Sequence, residues 1–446
     1  MAVRTTLARS VAVALAACSG SAWAGQFNWS LYLTGEHADN AALTTTNPIS
    51  TNVIAPGATF SYLEQGSTFQ ANVAGNVEYR DYSSSAFSSQ TLAQINGQAN
   101  WSAIPRRLDV SVQDAAGVAP VNSLASNSPG NQQQTNVLAI GPTLHFRVGE
   151  GMTGDAELKY INSYASRVDQ FNSSRGAGAF RLYRDISPTD QISGNLEAEH
   201  VDFASTTAGS NYTNYAAYAR YTSRLTALDI DASLGWTKID FTQGASQNGP
   251  LARLTLGWRI SPKNTLTVNG AYQYSDAAQD MLQPSNISIG GELVPLEPVT
   301  DAMDAARGGI GVGNVVISSD VFKERQIAAT YTYRDELLTV SVTPSYSKLN
   351  YINSTTFDQV SKGIGFTTDY KLTQNMSISA FGEAGRTHYE TITRRDKTYR
   401  YGAGFNHKFA PHWSWSATYA RTIQSSNTAG QSYHANEYFL TMVYTR

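Results

Sequence analysis

Apolar and polar residues alternate with a period of two along much of the chain. Between Phe69 and Tyr79, the odd positions are mostly apolar and the even positions are mostly polar. The same alternation recurs over 228–237, 338–346 and 413–419. A period of two over about ten residues predicts a β-strand with one apolar and one polar face. The pattern therefore predicts an all-β chain.

Strand length separates the two classes that this pattern allows, which are a secreted sandwich or solenoid and a membrane barrel. Globular strands usually span about 5–6 residues, whereas a tilted membrane strand needs about 9–11. The alternating segments reach the membrane length, and aromatic residues cluster near their ends, as expected for rings at the two water–lipid interfaces. Those aromatic residues are Tyr79, Trp101, Tyr160, Trp258, Tyr274, Tyr346 and Trp413. Length and aromatic placement together predict a transmembrane β-barrel.

Short turns alternate with longer polar loops along the chain. Nine short turns are found at Gln65-Gly66, Pro105-Arg106, Gly149–Gly151, Ser187-Pro188, Ser223-Arg224, Ser261-Pro262, Arg334-Asp335, Thr373-Gln374 and Pro411-His412. Nine turns that join ten up-and-down pairs predict a single antiparallel barrel of about 20 strands, with 18 as the alternative. In outer-membrane barrels the short turns are periplasmic and the longer loops are extracellular.

Composition and charge exclude several other classes. Charged residues make up 15% of the 446 residues, compared with about 25% in a typical soluble domain. The net charge of −3 lacks the basic excess of a nucleic-acid-binding protein. The low charge fits a barrel, because one face of nearly every strand would meet lipid, where a Lys or Arg is costly. We therefore expect the charged side chains to be confined to the lumen, turns and loops.

The N-terminus predicts an export signal. Two arginines precede the apolar stretch 11–17, and Ala22 and Ala24 then match the small-x-small pattern of a cleavage site before Gly25. Cys18 is the only cysteine and leaves an alternative, because residues 15–18 resemble a lipobox in which Cys18 would be lipidated instead. Either outcome excludes disulfides and cysteine metal sites.

One connection is much longer than the others. It spans 276–319 and carries aliphatic residues that a fully solvated loop would not need, namely Met281, Leu282, Ile287, Ile289, Leu293, Val294 and Leu296. Our hypothesis is that it folds into or across the pore mouth as a constriction or gate; the alternative is a loop that only caps the rim. The predicted domains are a signal peptide, 1–24, and a barrel, 25–446, with this insertion.

Charged residues recur on the polar face of the seventh to twelfth predicted strands. With the apolar face outward, the side chains offered to the lumen are Asp155, Glu157, Lys159, Arg175, Arg181, Glu197, Glu199, Asp229, Asp231, Arg253 and Arg259. Acidic and basic strands are neighbours, so these charges either pair and rigidify the wall or set up a field that selects solutes. Six acids and five bases predict weak ion selectivity and suit a neutral or weakly charged glycan.

Motifs for catalysis, cofactors and metals are weak. The seven histidines show no H-E-x-x-H spacing, and no G-x-S-x-G elbow exists. The glycines of 308–313 resemble a nucleotide loop only superficially, because Asn314 replaces the final glycine and no βαβ unit surrounds them. We therefore expect no enzyme, no catalytic residue, no cofactor and no metal. A barrel of about 20 strands leaves an aqueous lumen, whose default function is passage.

Short motifs in a fixed order extend along the mature chain. They are Glu36–Asn40, Pro105–Leu108, Val110–Asp114, Asn136-Val137, Gly141-Pro142 and Val201–Phe203. In these motifs the chain resembles outer-membrane β-barrel proteins that accompany bacterial exopolysaccharide biosynthesis and exosortase (PEP-CTERM) loci. The resemblance implies a barrel in the outer membrane of a Gram-negative bacterium and a role near polysaccharide export, without an assigned substrate.

These inferences predict a monomeric conduit linked to exopolysaccharide export or assembly. A general porin for small solutes, and a filled barrel with a structural or surface role, are the alternatives. The expected partners are outer-membrane lipid and lipopolysaccharide, the barrel-assembly machinery, and polysaccharide with its export proteins. Nucleic acid is not expected as a partner.

Overall fold

A computed structural model describes residues 25–205, 207–282 and 315–446. The predicted signal segment with Cys18 and Ala24, and residues 283–314 of the predicted insertion, lie outside the described residues. Within them, 20 strands form one sheet. The strands are β1 (Gln26–Ala38), β2 (Thr51–Gln65), β3 (Phe69–Tyr82), β4 (Gln90–Ile104), β5 (Leu108–Pro120), β6 (Gln132–Arg147), β7 (Met152–Ala165), β8 (Ser173–Asp185), β9 (Asp190–Phe203), β10 (Tyr212–Arg224), β11 (Leu228–Phe241), β12 (Gln247–Ser261), β13 (Asn264–Ser275), β14 (Phe322–Arg334), β15 (Leu338–Tyr351), β16 (Gln359–Lys371), β17 (Met376–Tyr389), β18 (Arg395–Ala410), β19 (Trp413–Ser426) and β20 (Tyr433–Thr445).

Short helical segments lie in the connections. The α-helix α1 (Ala277–Leu282) follows β13, and 3₁₀ turns occupy Pro129–Asn131, Asp169–Phe171 and Thr355–Phe357. Nowhere in the described parts of the chain is a helix both long and apolar enough to cross a membrane.

The sheet closes on itself. Each strand pairs antiparallel with the next along the chain, and β20 pairs with β1 from Ser30 opposite Thr445 to Ala38 opposite Glu437. The prediction of a single up-and-down antiparallel barrel of 20 strands is confirmed, and the alternative of 18 strands is wrong. Closure leaves no unpaired edge, which is the condition for a sheet to span a membrane.

One face of the barrel wall is apolar and carries large exposed side chains. Leu158, Leu196, Leu234 and Trp236 are between 53% and 68% exposed, because nothing in the barrel covers them. Apolar side chains exposed in a continuous band are the signature of a lipid-facing surface. The alternating positions point to the other side of the wall, so the period of two sorts the chain into a lipid face and a lumen face.

All nine predicted turns lie at or beside one end of the barrel, where the connections are short. In the turn between β6 and β7, Gly149 and Gly151 have φ of +67° and +86°, a backbone conformation that side-chain-bearing residues rarely adopt. The longer connections lie at the opposite end, and the connection from β13 to β14 is the longest of these. By the convention of outer-membrane barrels, the short-turn end is periplasmic and the long-loop end is extracellular.

Candidate pore and the segment that crosses it

The lumen face is identified by contacts with α1, which touches strands on several sides of the ring. The Leu282 carbonyl oxygen accepts a hydrogen bond of 2.5 Å from Gln113 Nε2 on β5, whereas Asp276, just before α1, contacts β8 and β10. A segment can reach all of these strands only from inside the barrel. The strand registers put the eleven residues of the sequence prediction on the same side of the wall as Gln113, Arg175 and Tyr212, and their role in lining a pore stays a prediction.

Arg181 on β8 joins acidic residues of both neighbouring strands. Its guanidinium lies 2.5 Å from the Glu157 carboxylate on β7 and 3.0 Å from the Glu197 carboxylate on β9. Lys159 pairs with the same Glu157 at 2.5 Å. These contacts arise because antiparallel register brings the inner-face residues of adjacent strands side by side. The charges of this part of the wall are therefore largely compensated.

The predicted charges on β11 and β12 are arranged differently. Asp229 pairs with Arg259 at 3.3 Å, whereas Asp231 pairs with Arg220 on β10. Arg253 has no carboxylate partner in the described residues; its Nε donates to Gln273 Oε1 at 2.6 Å, and its guanidinium lies 5.7 Å from the Tyr218 ring centroid. Gln273 Nε2 in turn donates to Glu324 Oε2 at 3.2 Å, so Gln273 links Arg253 to a carboxylate on β14.

Arg175 forms the most buried ion pair in the lumen. Its Nη1 lies 2.7 Å from Asp276 Oδ2 and 3.0 Å from Glu199 Oε1, and only 2% and 3% of the Arg175 and Asp276 side chains are exposed. Tyr212 on β10 donates a hydrogen bond of 2.5 Å to the same Asp276 oxygen. Asp276 is the first residue after β13, so this network fixes the start of the long connection to the wall formed by β8–β10.

Asp276 also caps α1. Its Oδ1 accepts hydrogen bonds from the backbone N–H groups of Ala278 at 2.8 Å and Gln279 at 3.1 Å, which satisfies donors that a helix start leaves unpaired. Burial alone would raise the pKa of Asp276, but the charge of Arg175 and the hydrogen bonds hold it below its usual range. The carboxylate thus stays charged and keeps α1 attached.

A second carboxyl on α1 has the opposite behaviour. Burial raises the pKa of Asp280 to about 7, and the nearby carboxylates of Glu324 and Asp276 act in the same direction. Burial disfavours the charged form of a carboxyl that lacks a basic partner, so Asp280 changes its protonation state near neutral pH. Asp280 is therefore a titratable group inside the barrel.

Alpha-helix α1 packs into an apolar cluster that joins opposite parts of the wall. The cluster combines inner-face residues of β5–β7 with others of β14 and β15, and the connection contributes its own residues between them. Its buried members are Ala119, Val137, Ala139, Ile161, Ala165, Phe171, Ala277, Ala278, Val315, Val316, Ile317, Phe322, Leu349 and Tyr351, with Met281 and Leu282 packed against them. Since β6 and β15 lie on opposite sides of a ring of 20 strands, the two described ends of the connection cross the lumen.

The far end of the connection is fixed as well. The Val316 backbone N–H donates to the Tyr351 hydroxyl on β15 at 3.0 Å. Ser319 Oγ donates to the carbonyl oxygen of Ala208, in the loop between β9 and β10, and Asn353 donates to Asp320 Oδ1 at 3.3 Å. Both ends are thus held inside the barrel by specific hydrogen bonds. The other five aliphatic residues on which the constriction hypothesis relied lie outside the described residues.

Sequence reasoning missed a second charged cluster on the inner face of β1 and β3. Arg80 pairs with Glu36 and, at 2.9 Å, with Glu78, and the Tyr32 hydroxyl donates to Glu78 Oε2 at 3.0 Å. The sequence pattern could have predicted the inner-face position of Glu78 and Arg80, because both occupy polar positions of the alternation that begins at Phe69. The cluster thus joins one guanidinium to two carboxylates on the side of the lumen away from β8–β12.

His145 on β6 lies between two inner-face carboxylates. Its Nδ1 is 2.6 Å from Asp155 and its Nε2 is 3.2 Å from Asp109. The predicted lumen residue Asp155 is therefore paired with His145 and not with the basic residues of β8. Among residues 25–205, 207–282 and 315–446, no group of three or more His, Cys, Asp or Glu side chains could hold a metal ion.

Part of the chain matches a known protein family. Residues 336–446 match the family described as "Putative beta-barrel porin 2". The matched segment contains the six C-terminal strands, β15 to β20. No curated protein matches the chain significantly.

Several solved structures are similar in shape at very low sequence identity. The siderophore receptor PirA from Acinetobacter baumannii is 9% identical with a TM-score of 0.47, over 96% of this chain and 81% of that one. The ferric enterobactin receptor PfeA from Pseudomonas aeruginosa is 9% identical with a TM-score of 0.46, over 96% and 81%. OccK5 (OpdH) from Pseudomonas aeruginosa is 9% identical with a TM-score of 0.40, over 95% and 98%. Likeness at this level carries no information about a solute.

The fold and the family match point to the same compartment. A closed antiparallel barrel with one lipid-facing and one polar face is the architecture of outer-membrane proteins. The closed barrel of 20 strands, together with the match of its six C-terminal strands to a barrel family, supports an outer-membrane β-barrel protein.

Proposed function

We propose that the barrel is a conduit for polar solutes of low net charge, narrowed by the connection between β13 and β14. The observation that carries this proposal is the pairing of opposite charges along the inner wall, as between Arg181 and its partners Glu157 and Glu197. A wall whose charges are compensated offers many hydrogen-bond donors and acceptors without a strong field for one sign of ion. Passage, and not catalysis, is the function that such a wall serves.

The solute class that we propose is exopolysaccharide, during its export or assembly. Support comes from the resemblance in short motifs to barrels that accompany exopolysaccharide loci, and from the polar inner wall. Tyrosine and amide side chains on that wall, such as Tyr218 and Gln113, suit a chain of sugar hydroxyls.

A general porin for small solutes is the second candidate. The observation that favours it is α1 crossing the lumen, because an obstructed lumen admits small molecules more readily than a polymer. Polymer export would require the connection to leave the lumen, whereas passage of small solutes would not.

Conductance and flux measurements separate these candidates. Purified protein would be reconstituted into planar bilayers and into liposomes loaded for swelling assays with glucose, maltose and a longer neutral glucan. The proposal of a conduit predicts discrete conductance steps and faster swelling with sugars than with charged solutes of the same size. A barrel that gives no conductance in the wild type and in a variant with α1 detached would be a filled barrel, and the conduit proposal would be abandoned.

The cell provides the test of solute class. Deletion of the gene is expected to abolish secreted polymer while growth on small nutrients continues. The opposite result, normal polymer with impaired growth on a small nutrient, would assign the barrel to the porin class. Complementation with the wild-type gene serves as the control for effects on neighbouring genes.

A further inference from the structure

Basic residues line the lipid side of the barrel near the extracellular ends of β14–β19. Alternation places them on the same face as the exposed side chains Ile327, Ile364 and Tyr399. We call these residues the outer basic patch: Lys323, Arg325, Lys348, Lys362, Arg386, Arg395, Lys397 and Arg421. The expectation that charges would be confined to the lumen, turns and loops is wrong for this part of the wall.

Like charges face each other directly across these strands. Arg325 is the register partner of Lys348, and Arg386 is the register partner of both Lys362 and Lys397. Like charges directly opposite each other on neighbouring strands destabilise a sheet. Six strands spaced about 4.8 Å apart make a band roughly 24 Å wide. The arrangement costs stability unless an anion offsets it.

The protein itself supplies little counter-charge. Lys348 pairs with Glu390 at 2.6 Å, but among the described residues Arg325, Lys362, Arg386 and Lys397 have no carboxylate within ion-pair distance. On the opposite side of the rim, His200 pairs with Asp202 at 3.3 Å and Lys238 with Asp240 at 2.8 Å, whereas Arg167 donates to the backbone carbonyl oxygen of Gly130. What distinguishes the outer basic patch is that its positive charges face each other across neighbouring strands.

Apolar side chains lie directly below the patch. Ile327 follows Arg325 by two positions on β14, and it is 52% exposed. Ile364 stands in the same relation to Lys362 on β16 and is 49% exposed. Tyr399, two positions from Lys397 on β18, is 42% exposed. A molecule that contacts both layers must carry anionic groups at the level of the interface and hydrocarbon beneath them.

We propose that the outer basic patch binds the phosphate groups of lipopolysaccharide in the outer leaflet, with the acyl chains against the apolar side chains below. The patch is at the long-loop end, which faces outside, and lipopolysaccharide is the phosphorylated lipid of that leaflet. Lys and Arg near a membrane surface attract anionic lipid head groups, and several together act cumulatively. The proposal depends on the position of the barrel in the membrane and not on the solute it passes.

Binding to the full-length barrel tests the proposal. Protein purified in a zwitterionic detergent would be titrated with bisphosphorylated lipid A, with dephosphorylated lipid A, and with inorganic phosphate as a competitor. The variant combines Lys362→Gln, Arg386→Gln and Lys397→Gln. The matched control combines Lys238→Gln, Lys263→Gln and Lys371→Gln, which removes three positive charges outside the patch. Resistance of the unheated barrel to unfolding on gels confirms that each variant is folded.

The expected result is that bisphosphorylated lipid A binds the wild type and the control variant with equal affinity. The patch variant should bind it at least about tenfold more weakly, since each charge near the surface contributes. Added salt should weaken binding to the wild type, because exposed charges are screened. Equal affinity in the patch and control variants, or equal binding of dephosphorylated lipid A, would overturn the proposal. Full competition by millimolar inorganic phosphate would also overturn it, because the site would then recognise phosphate without lipid.

Discussion

Arg175 on β8 and Asp276, the residue that follows β13, form a buried ion pair of 2.7 Å across the inside of the barrel. The pair links two parts of the chain that are 101 residues apart. Because Asp276 also caps α1, this pair ties the start of the segment that crosses the lumen to the wall.

Arg175→Met should release α1 and increase single-channel conductance. The substitution leaves Asp276 and Glu199 buried without a counter-charge, a loss that costs about 3–5 kcal/mol when a buried pair is broken. The matched control is Arg220→Met. Its ion pair with Asp231 is much more exposed, with 42% and 32% of the side chains accessible, so a small effect is expected. Unchanged conductance in a folded Arg175→Met barrel would contradict a constriction held by this pair.

The conductance should also depend on pH through Asp280. Docked α1 holds this carboxyl with a pKa of about 7, raised by burial and by Glu324 and Asp276 from an ordinary value of 3.8. A raised carboxyl pKa stabilises docking fully below about pH 4, and this contribution is lost as the pH rises towards 7. We expect conductance to increase between these limits and to level off above them. Asp280→Asn should flatten the curve, and an unaltered curve in that variant would assign the pH dependence to another group.

Gly141 on β6 tests the packing of the wall. A Cβ atom there would come within 1.8 Å of the Leu158 carbonyl oxygen on β7, so the two strands would have to move apart. Gly141→Ala should lower the free energy of unfolding by about 1–3 kcal/mol, as overpacking usually does. Gly176→Ala is the matched control, because a Cβ at that strand position meets nothing within 4 Å. Urea unfolding followed by tryptophan fluorescence measures both, and equal stability of the two variants would contradict the close approach.

The paired charges of the lumen predict a change of ion selectivity when only the acids are removed. Glu157→Gln combined with Glu197→Gln deprives Arg181 of both partners and leaves its positive charge facing the lumen. The reversal potential in a potassium chloride gradient should shift towards anion preference, from weak selectivity in the wild type. Asp202→Asn with Asp240→Asn, on the outer rim, removes the same charge and should leave the reversal potential unchanged. A shift of equal size in this control would trace the effect to the net charge of the barrel.

Alternation and turns were sufficient to predict the barrel and its strand number. Alternation within each strand also assigns Glu157 on β7 and Arg181 on β8 to the polar faces of their strands, because successive side chains point to opposite faces. The polar faces of all strands of a barrel lie on the same side of its wall. The partner of Arg175 was not predictable in this way, because Asp276 lies in a connection whose path no period describes. Register is set between neighbouring strands, whereas the path of the connection depends on where its apolar residues find a surface to bury.

The alternation of side chains also assigns the residues of the outer basic patch to the lipid-facing side of their strands. The patch was not predicted from the sequence, because the prediction assumed that charged residues avoid that side. Lys362 and Ile364 lie two positions apart on β16 and therefore on the same face, as do Lys397 and Tyr399 on β18. The outer face of each strand thus runs from the hydrocarbon region into the interface. The assumption holds only at the depth of the hydrocarbon, and strands of 13–16 residues, such as β16 and β18, extend beyond the roughly 9–11 residues that span it. Comparing strand length with membrane thickness would have separated the two zones.

The patch makes a stability prediction whose sign depends on the lipid. Arg386 faces Lys362 and Lys397, and each like-charge pair costs about 0.2–1 kcal/mol. In zwitterionic detergent without anionic lipid, Arg386→Gln should therefore raise the midpoint of urea unfolding. With bisphosphorylated lipid A the substitution should lower it, because a cation that binds phosphate is lost. Lys238→Gln, which breaks a pair with Asp240, should give the same small change in both conditions. If Arg386→Gln lowers the midpoint equally with and without lipid A, the guanidinium stabilises the barrel by a contact within the protein and not through lipid.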